Sequence, residues 1–425
     1  MLQISEIREN KEDIIASLKL KRFENPEEAL QRVLELDDSR RALQSKQDAV
    51  LAESKSLARE IGALMKQGKK AEADEVKART SSLKTEAKSL GEELSQTEED
   101  LKQQLYRIPN YPHPSVKPGN SDEDNEVISE HGEIPSLPEG SKPHWDLIKE
   151  YDIVDFELGN KIAGAGFPVF KGQGARLQRA MVNFFLDEAV KAGYAEVQPP
   201  VVVNEASGVA TGQLPDKEGQ MYQLVNENLY LIPTAEVPIT NLYRDVIVDA
   251  KDLPVKNVGF TPCFRREAGS WGAHVRGLNR LHQFDKVEIV QITKPEDSAK
   301  AHEEMCAHVT GLLEKLNLPY RVLRLCGGDL TFTSHLTFDM EVYSAGQCKW
   351  LECSSISNFL TYQANRLKVR YKNDSKKNEL LHTLNGSALA LPRIIAALLE
   401  NNQTPEGIKI PEVLVPYTGF DMITK

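Results

Sequence analysis

A long proline-free stretch carrying one narrow apolar seam constrains this chain more than any other feature. Between Pro26 and Leu105 no further proline occurs, and only Gly62, Gly68 and Gly91 could loosen a helix. Leu36, Leu43, Val50, Leu57 and Leu64 each stand seven residues after the last. Beyond Gln67-Gly68-Lys69-Lys70, steps of four and three run through Val76, Thr80, Leu83, Ala87, Leu90, Leu94, Thr97 and Leu101. Both spacings lay a single stripe along a helix, and so narrow a stripe is buried only against a partner helix. The spacing predicts two antiparallel helices, over 27–66 and 71–106, joined by a turn. Some forty residues at a rise of 1.5 Å make a rod of about 60 Å, so the hairpin is expected to stand outside the main core.

Charge on this hairpin departs from the chain as a whole. Residues 38–90 hold twelve Lys or Arg against eight acids, although the net charge of all 425 residues is −11. The total argues against indiscriminate nucleic-acid binding, while the local excess fits a solvated helix surface as well as contact with phosphates. The five cysteines, Cys263, Cys306, Cys326, Cys348 and Cys353, form no metal-site spacing and read as free thiols of a reducing compartment. No basic leader precedes an apolar run, and no apolar stretch approaches the roughly 18 residues of a membrane span. A cytoplasmic location is expected, without a membrane partner.

Residues 107–145, rich in Pro, Gly and acids, read as an exposed linker leading into a strand. From there β-like runs alternate with helices, so 111–425 is expected to be one α+β domain on a mainly antiparallel sheet, and 1–110 a separate domain. Residues 174–196 predict an amphipathic helix with Leu177, Ala180, Met181, Phe184, Phe185 and Ala189 on one face, followed by a strand ending at Gln198-Pro199-Pro200. The run from Phe260 through Phe264-Arg265-Arg266-Glu267 to Leu281-His282-Gln283-Phe284-Asp285-Lys286-Val287-Glu288 reads as two strands around a polar loop bearing Arg276 and Arg280. Arg265 and Glu267 are expected to share one strand face, and Phe284, Lys286 and Glu288 a face of the returning strand. Guanidinium groups beside an aromatic ring suit a polyanion that carries a flat base. Pro392 fits the first turn of a helix beginning near Leu391, which sets Arg393 at a helix N-terminus, a place that attracts phosphate.

Phe264-Arg265-x-Glu267 together with Phe284-x-x-x-Glu288 resembles the second signature motif of class II aminoacyl-tRNA synthetases. The helix leading to Pro199-Pro200 resembles their first motif, the dimer interface, and Leu384–Arg393 their third. Pro233-Thr234-Ala235-Glu236, Leu351-Glu352-Cys353-Ser354-Ser355-Ile356-Ser357 and the coiled-coil hairpin resemble the seryl-tRNA synthetases specifically, and the likeness spans essentially the whole chain. It departs at Ala388 and Ala390, where glycine is commoner, and in the order Glu-Cys-Ser-Ser-Ile-Ser.

The resemblance implies an α+β fold with an antiparallel sheet flanked by helices and an N-terminal tRNA-binding arm. It implies a homodimer that joins L-serine to tRNA(Ser), and also to tRNA(Sec), using ATP and Mg²⁺. Arg265 would meet the α-phosphate and the serine carboxylate, with Arg393 as its catalytic companion. Glu267 would accept from adenine, on which Phe284 stacks, and Arg276 and Arg393 would hold the outer phosphates. Arg266, Leu281, Cys353 and Ser354 complete the implied ATP contacts. Glu352 and Ser355 would hold Mg²⁺, an ion that prefers oxygen ligands. Thr234, Ala235, Glu236, Arg265, Glu288 and Ser387 would bind serine. No protein nucleophile is needed, and His282 and His382 read as structural. A related ligase that loads a carrier protein would lack the hairpin.

Overall fold

The computed structural model describes residues 1–216, 219–267 and 276–425. The glycine-bearing part of the expected polar loop, 268–275, lies outside the described residues. Two units divide the chain, Met1–Pro109 and Asn110–Lys425.

In the first unit, α1 (Ile4–Glu9) and α2 (Lys11–Leu20) precede α3 (Pro26–Lys66) and α4 (Lys70–Arg107). The two long helices end within a residue of the sequence expectation. Pro26 opens α3, where its missing N–H leaves no bond unmade, and Gly68 turns the chain with φ +75°. The seam packs as its spacing predicts. Leu36, Thr80, Leu83, Ala87, Leu94 and Leu101 are buried, and Leu43, Val50, Leu57, Leu64, Val76, Leu90 and Thr97 are half-buried. Gly91 serves a close approach between the helices, since a Cβ there would lie 2.7 Å from Gln47 Nε2. That same amide donates to the Ala87 carbonyl at 3.3 Å. Near the start of α3, the buried Asp37 receives Arg8, Arg40 and Arg41 within 2.9 Å, which fastens α1 to α3.

The second unit is built on an eight-stranded sheet. Its strands are β1 (Glu126–His131), β2 (Ala195–Glu196), β3 (Val255–Phe264), β4 (Gln283–Thr293), β5 (Tyr320–Arg324), β6 (Leu336–Ser344), β7 (Lys349–Asn358) and β8 (His382–Ala390). Their order is β1-β5-β6-β7-β8-β4-β3-β2, antiparallel throughout except for the β2–β3 pair. Helices α5 (Gly172–Lys191), α7 (Ser298–Lys315) and α9 (Leu391–Asn401) supply the apolar side chains that cover the sheet. In α9 Leu391, Ile394, Ile395, Leu398 and Leu399 are all buried, forming the apolar face of an amphipathic helix. The helix expected over 174–196 instead stops at Lys191, because Gly193 takes φ +89° and turns the chain into β2. Among the described residues no helix is long and apolar enough to cross a membrane, and all five cysteines are free thiols.

Candidate active site

Three neighbouring strands, β7, β8 and β4, carry Glu352, Cys353, Ser354, Ser355, Ser387, Phe284 and Glu288, and β3 leads directly to Arg265. Alternation along β4 puts Phe284, Lys286, Glu288 and Val290 on one face. Glu288 stands between Ser387 on β8 and Gly259 on β3. A Cβ at Gly259 would fall 2.8 Å from Ile239 Cδ1, so the glycine makes room for α6 (Glu236–Asn241) to seat over the sheet. Gly386 does the same for β7, since a Cβ there would meet Ile356 Cγ1 at 2.9 Å.

A small buried polar niche results. Lys286 Nζ lies 2.6 Å from Glu288 Oε2 and donates to Thr234 Oγ1 at 2.8 Å. Ser387 Oγ donates to the same Glu288 oxygen at 3.3 Å. Glu236 accepts at 2.6 Å from Nε2 of Gln363, on α8 (Thr361–Leu367), and at 3.4 Å from Gln213 Nε2. Burial, and then the nearby Glu288 charge, push the Glu236 carboxyl up to about 7 against the opposing pull of Gln363 and Lys286. Ala235, wholly buried, offers only its backbone.

Arg265 stands just beyond the end of β3, its N–H donating to the His282 carbonyl at 2.9 Å. Its guanidinium lies over the Phe284 ring, 5.3 Å from the centroid. The expectation that Arg265 and Glu267 share a strand face is corrected: the strand ends at Phe264, and Glu267 takes φ +48°. There the Glu267 N–H donates to Gln220 Oε1 at 3.1 Å, and its carboxylate pairs with Arg280. Arg266 donates through its N–H to the Gln220 carbonyl at 2.9 Å and is exposed.

Arg393 stands in the first turn of α9, just after Pro392. Its Nη1 donates to the Glu352 carbonyl at 2.7 Å and lies 3.3 Å from Glu352 Oε2, while Nε donates to the Asn279 carbonyl at 3.1 Å. Arg276 stacks on Trp145 at 4.8 Å. Ser355 pairs across the sheet with Asp339, and Glu352 with Glu341. Burial first, and then the charge of Glu352, raise the Asp339 carboxyl well above its usual range. The negative field around Glu352 and Ser355, with oxygen donors only, suits Mg²⁺. Among the described residues no three His, Cys, Asp or Glu side chains converge as a metal cage, so phosphate oxygens and water would have to complete the coordination.

Other expected positions turn their side chains into the protein interior. Cys353 lies in the core with Sγ against the Met340 carbonyl at 3.2 Å, and burial drives its thiol well above the ordinary range. Ser354 Oγ donates to the Ser387 carbonyl at 2.6 Å, and Leu281 is buried. His382 is pushed down to about 4 by burial and contacts Ser298. Lys286, Gln363 and Asp339 belong to the site without having been singled out for it. Lys286 was readable from alternation beside Glu288, but Gln363 carries no local signal.

Comparison with known proteins gives the chain its family. Residues 222–402 match the tRNA synthetase class II core domain (G, H, P, S and T), and residues 1–112 match the seryl-tRNA synthetase N-terminal domain. The serine–tRNA ligase of Salinibacter ruber is 46% identical over 425 residues, covering 100% of this chain and 99% of that protein. The chain belongs to the seryl-tRNA synthetase family. Its Akkermansia muciniphila relative is 45% identical over the same length. The crystal structure of seryl-tRNA synthetase from Pyrococcus horikoshii complexed with ATP superposes with a TM-score of 0.91 at 33% identity, covering 100% of this chain and 99% of that one. The cytoplasmic serine–tRNA ligase of Naegleria fowleri in complex with AMP gives 0.86 at 28% identity, with the same coverage. As a seryl-tRNA synthetase, the chain is an enzyme of the class II aminoacyl-tRNA synthetases with a helical N-terminal arm.

Proposed function

We propose that this chain activates L-serine with ATP to seryl-adenylate and then transfers the seryl group to tRNA(Ser), and also to tRNA(Sec). One observation carries the reading: the buried niche of Glu288, Lys286, Thr234, Ser387 and Glu236 beside Arg265. When both carboxylates are ionised, two negative charges face one lysine, and the ammonium of an amino acid supplies the missing positive charge. Glu288 accepts from the serine hydroxyl and Glu236 from its ammonium, while Arg265 holds the carboxylate. A site that pairs with a hydroxyl rejects the analogue lacking it by about 10⁴–10⁵, because its own polar groups are left unpaired.

ATP takes the surface next to this niche. Phe284 stacks on adenine, Glu267 accepts from its amino group, and Arg265, Arg276 and Arg393 take the phosphates. Mg²⁺ held by Glu352 and Ser355 supplies neutralisation of phosphate charge when bound. The serine carboxylate attacks the α-phosphate, pyrophosphate leaves, and the side chains contribute orientation and charge stabilisation in place of a nucleophile. The basic hairpin within 1–110 grips the long variable stem of the tRNA through its backbone and shape, and 111–425 performs catalysis. The enzyme works as a cytoplasmic homodimer. The test is ATP–pyrophosphate exchange: serine should drive it, and Arg265→Ala should abolish it. Exchange driven by another amino acid alone would overturn the assignment.

A further inference from the structure

A second cluster of wholly buried polar groups lies at the other end of α9, outside the residues assigned above. Glu400 and His144 are both 0% exposed and face each other at 2.8 Å between Oε1 and Nδ1. Glu400 also accepts from the His144 N–H at 2.8 Å, from Gly346 N–H at 3.1 Å, from Gln347 Nε2 at 3.0 Å and from the Ser344 hydroxyl. Burial alone would raise this carboxyl, but the hydrogen bonds from His144 and Ser344 hold it below its ordinary value.

The far side of the imidazole carries the consequence. His144 Nε2 accepts from the Leu278 N–H at 2.8 Å, which leaves Nδ1 as the ring donor that faces Glu400. Gln347 Oε1 accepts from Asn279 Nδ2 at 2.9 Å. Gly277 passes so near that a Cβ would stand 2.3 Å from His144 Nε2. The same short segment supplies the Asn279 carbonyl that holds Arg393 Nε at 3.1 Å. Arg393 and Glu400 sit seven residues apart on one helix, which brings them to the same side of it two turns apart. Arg393 holds the segment directly at Asn279, and Glu400 holds it through His144 at the neighbouring Leu278.

We propose that Glu400 and His144 are positioning residues for ATP, fixing the 276–280 segment so that Arg276 and Arg393 meet the outer phosphates in one geometry. The inference rests on the ATP site proposed above. A core pair with no such role would stabilise the fold and leave ATP affinity unchanged in any variant that folds.

Two substitutions separate these cases. In His144→Asn the amide can still donate to Glu400, but nothing reaches the Leu278 N–H. In His144→Gln an amide oxygen reaches the Nε2 position and restores that acceptor. Both are made in the full chain, with Mg·ATP affinity measured by calorimetry, KM for ATP and for serine by pyrophosphate exchange, and the unfolding midpoint alongside. His144→Asn should weaken ATP by about tenfold, the order expected from one buried donor left unpaired, with KM for serine unchanged. His144→Gln should recover most of that loss. ATP parameters equal to wild type in folded His144→Asn would overturn the inference, as would ATP and serine KM rising together in both variants. A wild-type chain that binds no ATP would instead overturn the ATP site itself.

Discussion

Lys286 and Glu288, two residues apart on one strand, form an ion pair at 2.6 Å with side chains only 6% and 2% exposed. Removing one partner of such a pair strands the other charge in the core, at a cost of about 3–5 kcal/mol. Lys286→Met leaves Glu288 beside Glu236 with no compensating cation. It should lower the urea midpoint of the catalytic unit and abolish serine-dependent exchange. An unchanged midpoint would show that the pair is not buried as described.

Glu236 gives a pH dependence whose sign can be worked out. Its carboxyl titrates at about 7 in the folded chain against an ordinary 4.5. The folded state therefore binds the extra proton more readily, and stability falls as pH rises between those values. Serine binding runs the opposite way, since only the ionised carboxylate carries the negative charge that attracts the ammonium. kcat/KM for serine should rise through an apparent pKa near 7, because this parameter reports the free enzyme. Glu236→Gln should flatten that limb. A wild-type profile level from pH 6 to 8 would refute the role.

Arg393 donates in two directions, to Glu352 and to Asn279. Arg393→Lys keeps the charge but loses the fork, and Arg393→Ala loses both. Exchange should drop by about 10²–10³ in the alanine variant, the scale seen when one charge-stabilising donor is removed. Comparable rates in wild type and Arg393→Ala would exclude contact with the reacting phosphates.

Gln47 and Ala87 face each other across the hairpin, so 48–86 can be replaced by a short Gly-Ser turn without unseating the lower seam. The shortened chain should keep pyrophosphate exchange and lose tRNA charging. For the intact chain, KM for tRNA should climb steeply with salt. Full charging by the shortened chain would remove the hairpin from tRNA recognition.

Local periodicity explains what was legible beforehand. Heptads from Leu36 to Leu64, and the alternating steps from Val76 to Leu101, fixed both long helices to within a residue of their observed ends. Pro392 fixed the start of α9, and alternation put Lys286 beside Glu288. Two kinds of error remained. Backbone conformation overrode alternation at Glu267, whose positive φ no neighbouring residue type announces. Long-range partners were silent: Gln363 reaches Glu236 across 127 residues and Glu400 reaches His144 across 256. Such contacts are decided by strand order, which no sequence spacing encodes. Cys353 showed a further limit, since a motif position can have its side chain wholly in the core.

The claim at the centre is that a buried carboxylate pair around Lys286 selects a hydroxymethyl side chain. Pyrophosphate exchange with serine and alanine, compared as kcat/KM on the wild-type chain, tests it most directly. The account predicts a preference for serine of about 10⁴ or more, reduced sharply in Glu288→Gln. Alanine turned over within tenfold of serine would contradict it.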